Sequence, residues 1–378
     1  MAKLKQNIES YYFINPNSVF QLSNGTWHMQ FVGLSREAMT EIASGDRFAL
    51  PLRSQSLLIV QQLTNFNLSN VVVYAGPGLA SAWVRNSGSI VINDFQVRRK
   101  EGTNRLMSSG ADAIHMVDNL ASTAIANCFF EGMGDDALNT RSTAFKIEDK
   151  SSSSQIFFKT LGLSLFSVGQ SVQVVDPMTQ LAKGTSKILS LTVAPDGSAI
   201  IGLDHPIASL KPGDLFFVAE FAIPNLLLTN NVFSNFRGTL RIRSSGAMVL
   251  NNHFVDPRNS SIFVSADIQS AWQEGPSLIP SPENSLSGIY FYENLVDNGS
   301  MRLSSTTNYG GAPPLSGKSS LLTHPLIFDV KFYRLNNSDL AAMNDSQLAT
   351  HWVDHGVSEG RGPLSDIARL NIWKYIQT

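Results

Sequence analysis

Cysteine is nearly absent. Cys128 stands alone, which excludes an intramolecular disulfide and any cysteine-based metal cluster. Charged residues make up only 15% of the chain and almost balance, for a net charge of −2. Without a basic field, nucleic acid is not an expected partner. No apolar run approaches the roughly 18 residues that a membrane-crossing helix needs, so no membrane partner is expected either. The start, "MAKLKQNIESYYFINP", is basic but lacks an apolar stretch, and no secretory signal is visible in it. Long amphipathic helical patterns are scarce before residue 330. What is present is a 378-residue chain rich in Val, Ile, Phe, Thr, Ser and Asn, enough for one large core or about two to three smaller ones.

Short apolar runs recur with asparagine-rich ends: "NLSNVVVYAG", "SGSIVINDFQV", "ASTAIANCFFEG", "PNLLLTNNVFSN", "SGAMVLNNHFVD" and "LSGIYFYENLVDN". Anchored on Tyr74, Phe95, Phe129, Phe233, Phe254 and Val296, the spacing is 21 residues from Tyr74 to Phe95 and again from Phe233 to Phe254. The longer steps read as coils with inserted loops. A period near 21 with short strands and no helices between them predicts a solenoid of stacked β coils, with turn asparagines in ladders along its axis. The expected fold is all-β, a right-handed parallel β-helix.

Between Ala144 and Glu220 the asparagine-ended pattern is replaced by strands joined by tight turns, with Pro195-Asp196-Gly197 as one hairpin turn. This reads as a small antiparallel β-barrel inserted between two coils. From Phe328 the periodicity turns helical, and Gly356 is expected to end a helix holding Leu348, Trp352 and His355. The expected organisation is a lead-in or cap over 1–40, β-helix over 41–145, the barrel over 146–220, β-helix again over 221–307, a Gly/Pro/Ser-rich linker over 308–327, and a short C-terminal α-helical module over 328–378.

The chemistry concentrates at "EGMGDDALNT", where Asp135 and Asp136 sit side by side, and at "GADAIHM", which supplies Asp112 and His115. Asp112 precedes Asp135 by 23 residues, about one coil, so the three carboxylates should share one patch on neighbouring rungs roughly 5 Å apart. Mutual repulsion in such a cluster raises at least one carboxyl pKa and sets a general acid beside a general base. Glycosidic bond hydrolysis needs that pair. Substrate-binding candidates are His115, Asn139 and Arg243, with Asp267, Trp272 and Glu274 from "VSADIQSAWQEGP"; His115 is equally suited to orient a neighbouring side chain. An aromatic ring beside carboxylates suits a sugar. The competing reading of the cluster is a calcium site. His351 and His355 have the i, i+4 spacing of a zinc helix without a following Glu or third ligand, so no metal and no cofactor are expected.

Taken together, "GADAIHM", "CFFEGMGDDALNT", "RGTLRIRSSGAMVLNNHF" and "SADIQSAWQEG", preceded by "SGDRFALPLR", resemble glycoside hydrolase family 110 over about residues 40 to 300. The resemblance implies a right-handed β-helix interrupted by barrel material. It also implies an exo-acting α-galactosidase that removes terminal α-1,3-linked galactose with inversion and without metal, in an extracellular or periplasmic setting. By the same resemblance Asp112 is the general acid, and Asp135 and Asp136 are candidates for the base. The family pattern has a histidine shortly after "DDALN", where this chain has Thr140 and Arg141. A weaker likeness to family 28 polygalacturonases lacks their Gly-His-Gly and has only "RIR" for their Arg-Ile-Lys. The expected partner is therefore a carbohydrate. A non-catalytic glycan-binding β-helix of the adhesin or tail-spike kind is the alternative, and a homo-oligomer is left open.

Overall fold

The apolar runs form strands. A computed structural model describes residues 14–31, 43–45, 47, 49, 53–158, 166–179, 182–196, 198–221, 223, 225–234, 240–243, 247–255, 261–263, 274–275, 290–292, 295–297, 302–304, 328, 330–356, 359 and 361. The chain is mostly β, with helices among the described residues confined to short 3-10 turns and the segment after Phe328.

Two ladders of parallel strands face one another. The first runs in chain order through Leu58–Gln61, Ser81–Val84, Ile114–Val117, Leu138–Thr143, Leu240–Arg241, Ser261–Phe263 and Arg302–Ser304, each pairing in parallel with the next. The second begins with Thr64–Val73 and Ser87–Val97, then divides into two files. One file is Ser122–Ala126, Leu226–Thr229, Ala247–Leu250 and Tyr290–Tyr292. The other is Phe129–Glu131, Val232–Ser234, His253–Val255 and Leu295–Asp297. The chain thus visits one ladder, turns and visits the other. Parallel neighbours one coil apart share both faces with other elements, so their apolar runs are continuous rather than alternating.

Side chains of both ladders meet in one core that includes Trp83, Ile92, Ile114 and Leu138. Phe130, Phe233 and Phe254 stack face on, with ring centroids 5.3 and 5.0 Å apart, and Phe95 meets Phe130 edge on. The buried file runs through Phe130 rather than Phe129, and Phe95 pairs with Val71 rather than Tyr74. At those positions the sequence anchor missed the register. The steps from Phe233 to Phe254 and on to Val296 hold.

The asparagines at the run ends make two ladders. Asn127, Asn230 and Asn251 adopt left-handed backbone with φ of 54°, 54° and 50°, a conformation in which Asn is better tolerated than most side chains. They link Asn93, Asn127, Asn230 and Asn251 side chain to side chain on the surface. A second, buried file satisfies turn backbone: Asn231 accepts from the N–H of Cys128 and donates to Ile125 O and Asn252 Oδ1.

After Thr143 the chain leaves the first ladder and builds a seven-stranded antiparallel sheet from Phe145 to Val218. The two end strands of this sheet, Phe145–Lys146 and Asp149–Ser152, are consecutive in the chain. The sheet has its own apolar core around Phe158, Phe166 and Phe216. Its hairpin at 194–198 is closed by Ala194 N–H to Ser198 O, with Asp196 accepting from both Ser198 N–H and Oγ. Leu226 then returns to lie beside Thr123, and the parallel register continues across the excursion.

The helical segment comprises Val330–Asn336 and Asp345–His351, the latter capped by Asn344 and Gln347 and followed by a wide turn over Trp352–Gly356. It packs onto the second ladder. Phe328, Tyr333, Leu340, Leu348 and Trp352 bury themselves with Ala124, Leu227, Met248 and Leu250 from the outer face of the second ladder. Gly356 sits where a Cβ would lie 2.2 Å from the Tyr333 hydroxyl. His351 Nδ1 pairs with that hydroxyl at 3.0 Å, a packing role. The expected linker over 308–327 lies outside the described residues.

Candidate active site

Glycine sets the geometry at the point where the rungs approach the carboxylates. A Cβ at Gly110 would lie 2.6 Å from Pro77 O, and one at Gly134 would lie 2.7 Å from Gly110 O. Gly76, Ser109 and Met133 form parallel bridges in the same strip. Only glycine permits backbones this close, so Asp112 and the aspartate pair each emerge just after a tight inter-rung contact.

Ile114 pairs with Leu138, and Asp112 and Asp136 each precede that pair by two residues. The register therefore sets Asp112 beside Asp136, not beside Asp135 as a 23-residue coil implies. The N–H of Asp136 donates to Asp112 Oδ1 at 3.2 Å. One oxygen from each of Asp112, Asp135 and Asp136 lies within 4.8 Å of the others. Asp112 and Asp136 are each only 4% exposed, whereas the Asp135 side chain is 24% exposed.

Three carboxylates this close repel unless opposite charge or hydrogen bonds compensate. Arg53 Nη2 pairs with Asp135 Oδ2. Arg241 Nε lies 2.9 Å from Asp136 Oδ2, a charge contact in which the N–H is not aimed along the line of a hydrogen bond. Asp112 Oδ2 is 2.6 Å from His115 Nδ1, and the Nε–H of Arg141 donates to His115 Nε2 at 3.2 Å. A guanidinium N–H can only donate, so Nε2 is the accepting nitrogen and the ring hydrogen sits on Nδ1, facing Asp112.

The row His115, Asn139 and Arg241 crosses three neighbouring strands in register. Arg243 is 1% exposed and its Nη1 donates to Asn139 Oδ1 at 2.7 Å and to Thr140 O. Asn139 and Arg243, expected to bind substrate, are thus buried against one another. Glu274–Gly275 pairs antiparallel with Ser142–Thr143, which brings this backbone to the end of the same strand. Asp267 and Trp272 lie outside the described residues. Arg53 is not among the expected site residues, and Arg241 stands beside Arg243 in "RGTLRIRSS" without an expected role. Arg53 is 82 residues from its partner and carries no local signal, whereas Arg241 follows from aligning "TLRIR" with "ALNTR" by register.

Stacked rungs presenting paired acidic groups provide what hydrolysis of a glycosidic bond requires, and relatives belong to that class. No protein-family model matches the chain. It is 25% identical over 225 residues to alpha-1,3-galactosidase B of Akkermansia muciniphila, covering 57% of this chain and 28% of that protein. It is 29% identical over 217 residues to alpha-1,3-galactosidase A of Peterkaempfera griseoplana, covering 50% and 29%. It is 22% identical over 301 residues to alpha-1,3-galactosidase A of Shewanella woodyi, covering 77% and 46%. The chain is similar to galactosidase-type glycoside hydrolases at low identity, and its matches span less than half the length of these relatives.

Proposed function

We propose that the chain is an exo-acting glycoside hydrolase of the family 110 type that releases terminal α-linked galactose, with α-1,3 linkages the first to test. The observation that carries this reading is the carboxylate cluster, Asp112, Asp135 and Asp136 with oxygens within 4.8 Å. We read the two ladders as a right-handed parallel β-helix, the antiparallel sheet as an inserted barrel, and the setting as extracellular or periplasmic. The helical segment is a unit appended outside the enzymatic core.

The hydrogen bonds favour a division of labour different from the one the resemblance implies. A general acid must hold a proton on an oxygen that can reach the leaving group. Both oxygens of Asp112 accept hydrogen bonds, from Asp136 N–H and from His115, which stabilises the anion. Asp135 is the most exposed of the three; Arg53 also favours its anion, but does so at Oδ2 alone, which leaves Oδ1 to carry a proton to the leaving group. We therefore assign Asp135 as the acid and the buried pair Asp112 and Asp136 as the carboxylates that hold and deprotonate water. The acid's proton goes to the glycosidic oxygen, the C1–O bond breaks, and the water oxygen bonds to C1 while its proton passes to the base.

A uronic acid substrate would call for cationic side chains dedicated to its carboxylate. Arg241 is turned to Asp136 and Arg243 is buried against Asn139, which supports a neutral sugar over the polygalacturonase-like alternative. The deciding experiment is release of galactose from an α-1,3-linked galactoside by wild type and by Asp135→Asn. Binding of that disaccharide without release would favour the glycan-binding alternative.

A further inference from the structure

Both ring nitrogens of His115 are occupied by protein, one by Asp112 and the other by Arg141. The ring therefore has no donor or acceptor left for a substrate hydroxyl, and its expected role as a sugar contact gives way to another. We propose that His115 and Arg141 are positioning residues that hold Asp112 as a fixed carboxylate, with Arg141 acting through the imidazole rather than on the substrate. The proposal rests on the assignment of Asp112 to the base side of the reaction.

The chemistry follows from donor and acceptor inventory. Arg141 lies two residues beyond Asn139, the register partner of His115, on the adjacent strand. Its Nε–H fixes the ring with a bare Nε2 and a hydrogen on Nδ1. That hydrogen points at Asp112 Oδ2 while Asp136 N–H caps Oδ1. Without Arg141 only the Asp112 carboxylate holds the hydrogen on Nδ1, and the tautomer with the hydrogen on Nε2, which Arg141 excludes, becomes accessible. Nδ1 would then present a lone pair to Asp112 at 2.6 Å, tolerable only if the ring rotates or the carboxyl takes up a proton. Either change removes a base that must be anionic and fixed in direction.

An asparagine at position 115 places its Nδ2 where Nδ1 stands and needs no partner to set its hydrogens. His115→Asn should accordingly keep galactose release within a few-fold of wild type. His115→Gln and His115→Phe should lower kcat on the order of a hundredfold, with KM little changed. Arg141→Met should lower kcat in the wild-type background yet have almost no further effect in His115→Asn, the non-additivity expected of a residue acting through another. An equal loss from Arg141→Met in both backgrounds, or His115→Asn as impaired as His115→Phe, overturns the proposal. A second readout does not depend on activity. Ring nitrogen NMR should show His115 protonated at Nδ1 in wild type and changed in Arg141→Met; an unchanged ring in Arg141→Met overturns the role of Arg141. If wild type releases no galactose, the proposed function fails, and the NMR experiment still decides whether Arg141 sets the ring.

Discussion

The N–H of Asp136 donates to Oδ1 of Asp112 across neighbouring rungs, 3.2 Å from nitrogen to oxygen. This bond makes the separation of two carboxylates a property of strand register rather than of side-chain choice. Pairing of Ile114 with Leu138 and the glycine contacts at Gly110 and Gly134 fix the same spacing from either side. Rigid elements of this kind hold reacting groups more tightly than loops do.

The acid assignment predicts a leaving-group dependence. Asp135→Asn should lower the rate on an α-1,3-linked disaccharide by about 10²–10⁴-fold, and by much less on an aryl galactoside whose leaving group needs little protonation. Asp112→Asn should depress both substrates alike. Steady-state rates on the two substrates check this, and the reverse pattern would return the acid role to Asp112.

The mostly β character of the chain is legible in its sequence. Recurrent runs ending in asparagine signal parallel strands joined by similar turns, because a turn residue in left-handed backbone is a local demand that repeats from strand to strand. The site proved harder. An average coil length sets Asp112 beside Asp135, whereas register is fixed by the pairing of Ile114 with Leu138. Arg53 was invisible since an ion pair spanning 82 residues leaves no spacing to read. Arg243 has the sequence context of a sugar contact, yet its guanidinium is buried with Asn139, a placement that depends on a chain excursion of about a hundred residues between their strands. That the helical segment covers Leu227 and Met248 is a tertiary fact, although the unbroken apolar runs "LLLT" and "AMVL" already signal strands buried on both faces.

Metal removal should leave activity unchanged. Each carboxylate faces a cation or N–H donor: Arg53 at Asp135, Arg241 at Asp136 and His115 at Asp112. A divalent ion would have to displace these partners. Assays with and without a chelator test this, and loss of activity restored by Ca²⁺ would make the cluster a cation site.

The buried asparagine file carries stability. Asn231→Ala strips partners from the Cys128 N–H and the Ile125 carbonyl in the interior. The expected destabilisation is about 1–3 kcal/mol for each group left unsatisfied. A fall in the urea midpoint at unchanged slope would report it, and an unchanged midpoint would show that the turn is satisfied in another way.

Cys128 offers a titration probe. Burial pushes its thiol up to about 12. Because the folded value lies above the unfolded one, the associated stability is complete below the unfolded thiol range and is lost as pH rises toward 12. Folded protein at pH 8 should resist a thiol reagent, and labelling should appear only with unfolding. Rapid labelling of native protein at pH 8 would contradict the burial.

The anomeric outcome separates two geometric arguments. Carboxyl groups about 5–5.5 Å apart characterise retaining enzymes, and separations of about 6.5–9.5 Å characterise inverting ones. The oxygens here lie within 4.8 Å, which by distance alone favours a covalent intermediate. That rule, however, describes two carboxylates, and this cluster has three. Asp112 is engaged at both oxygens and Asp136 at Oδ2 by Arg241, so the buried pair is anchored by protein partners, which disfavours a covalent bond to C1. Side by side, the two are instead suited to hold one water between them while Asp135 protonates the leaving oxygen from the exposed side. Inversion is therefore expected, with β-galactose formed first. NMR of the anomeric protons in the first minutes of hydrolysis would show it directly. α-Galactose as the first product would make one of the three aspartates a nucleophile and would require its side chain to leave the hydrogen bonds described above.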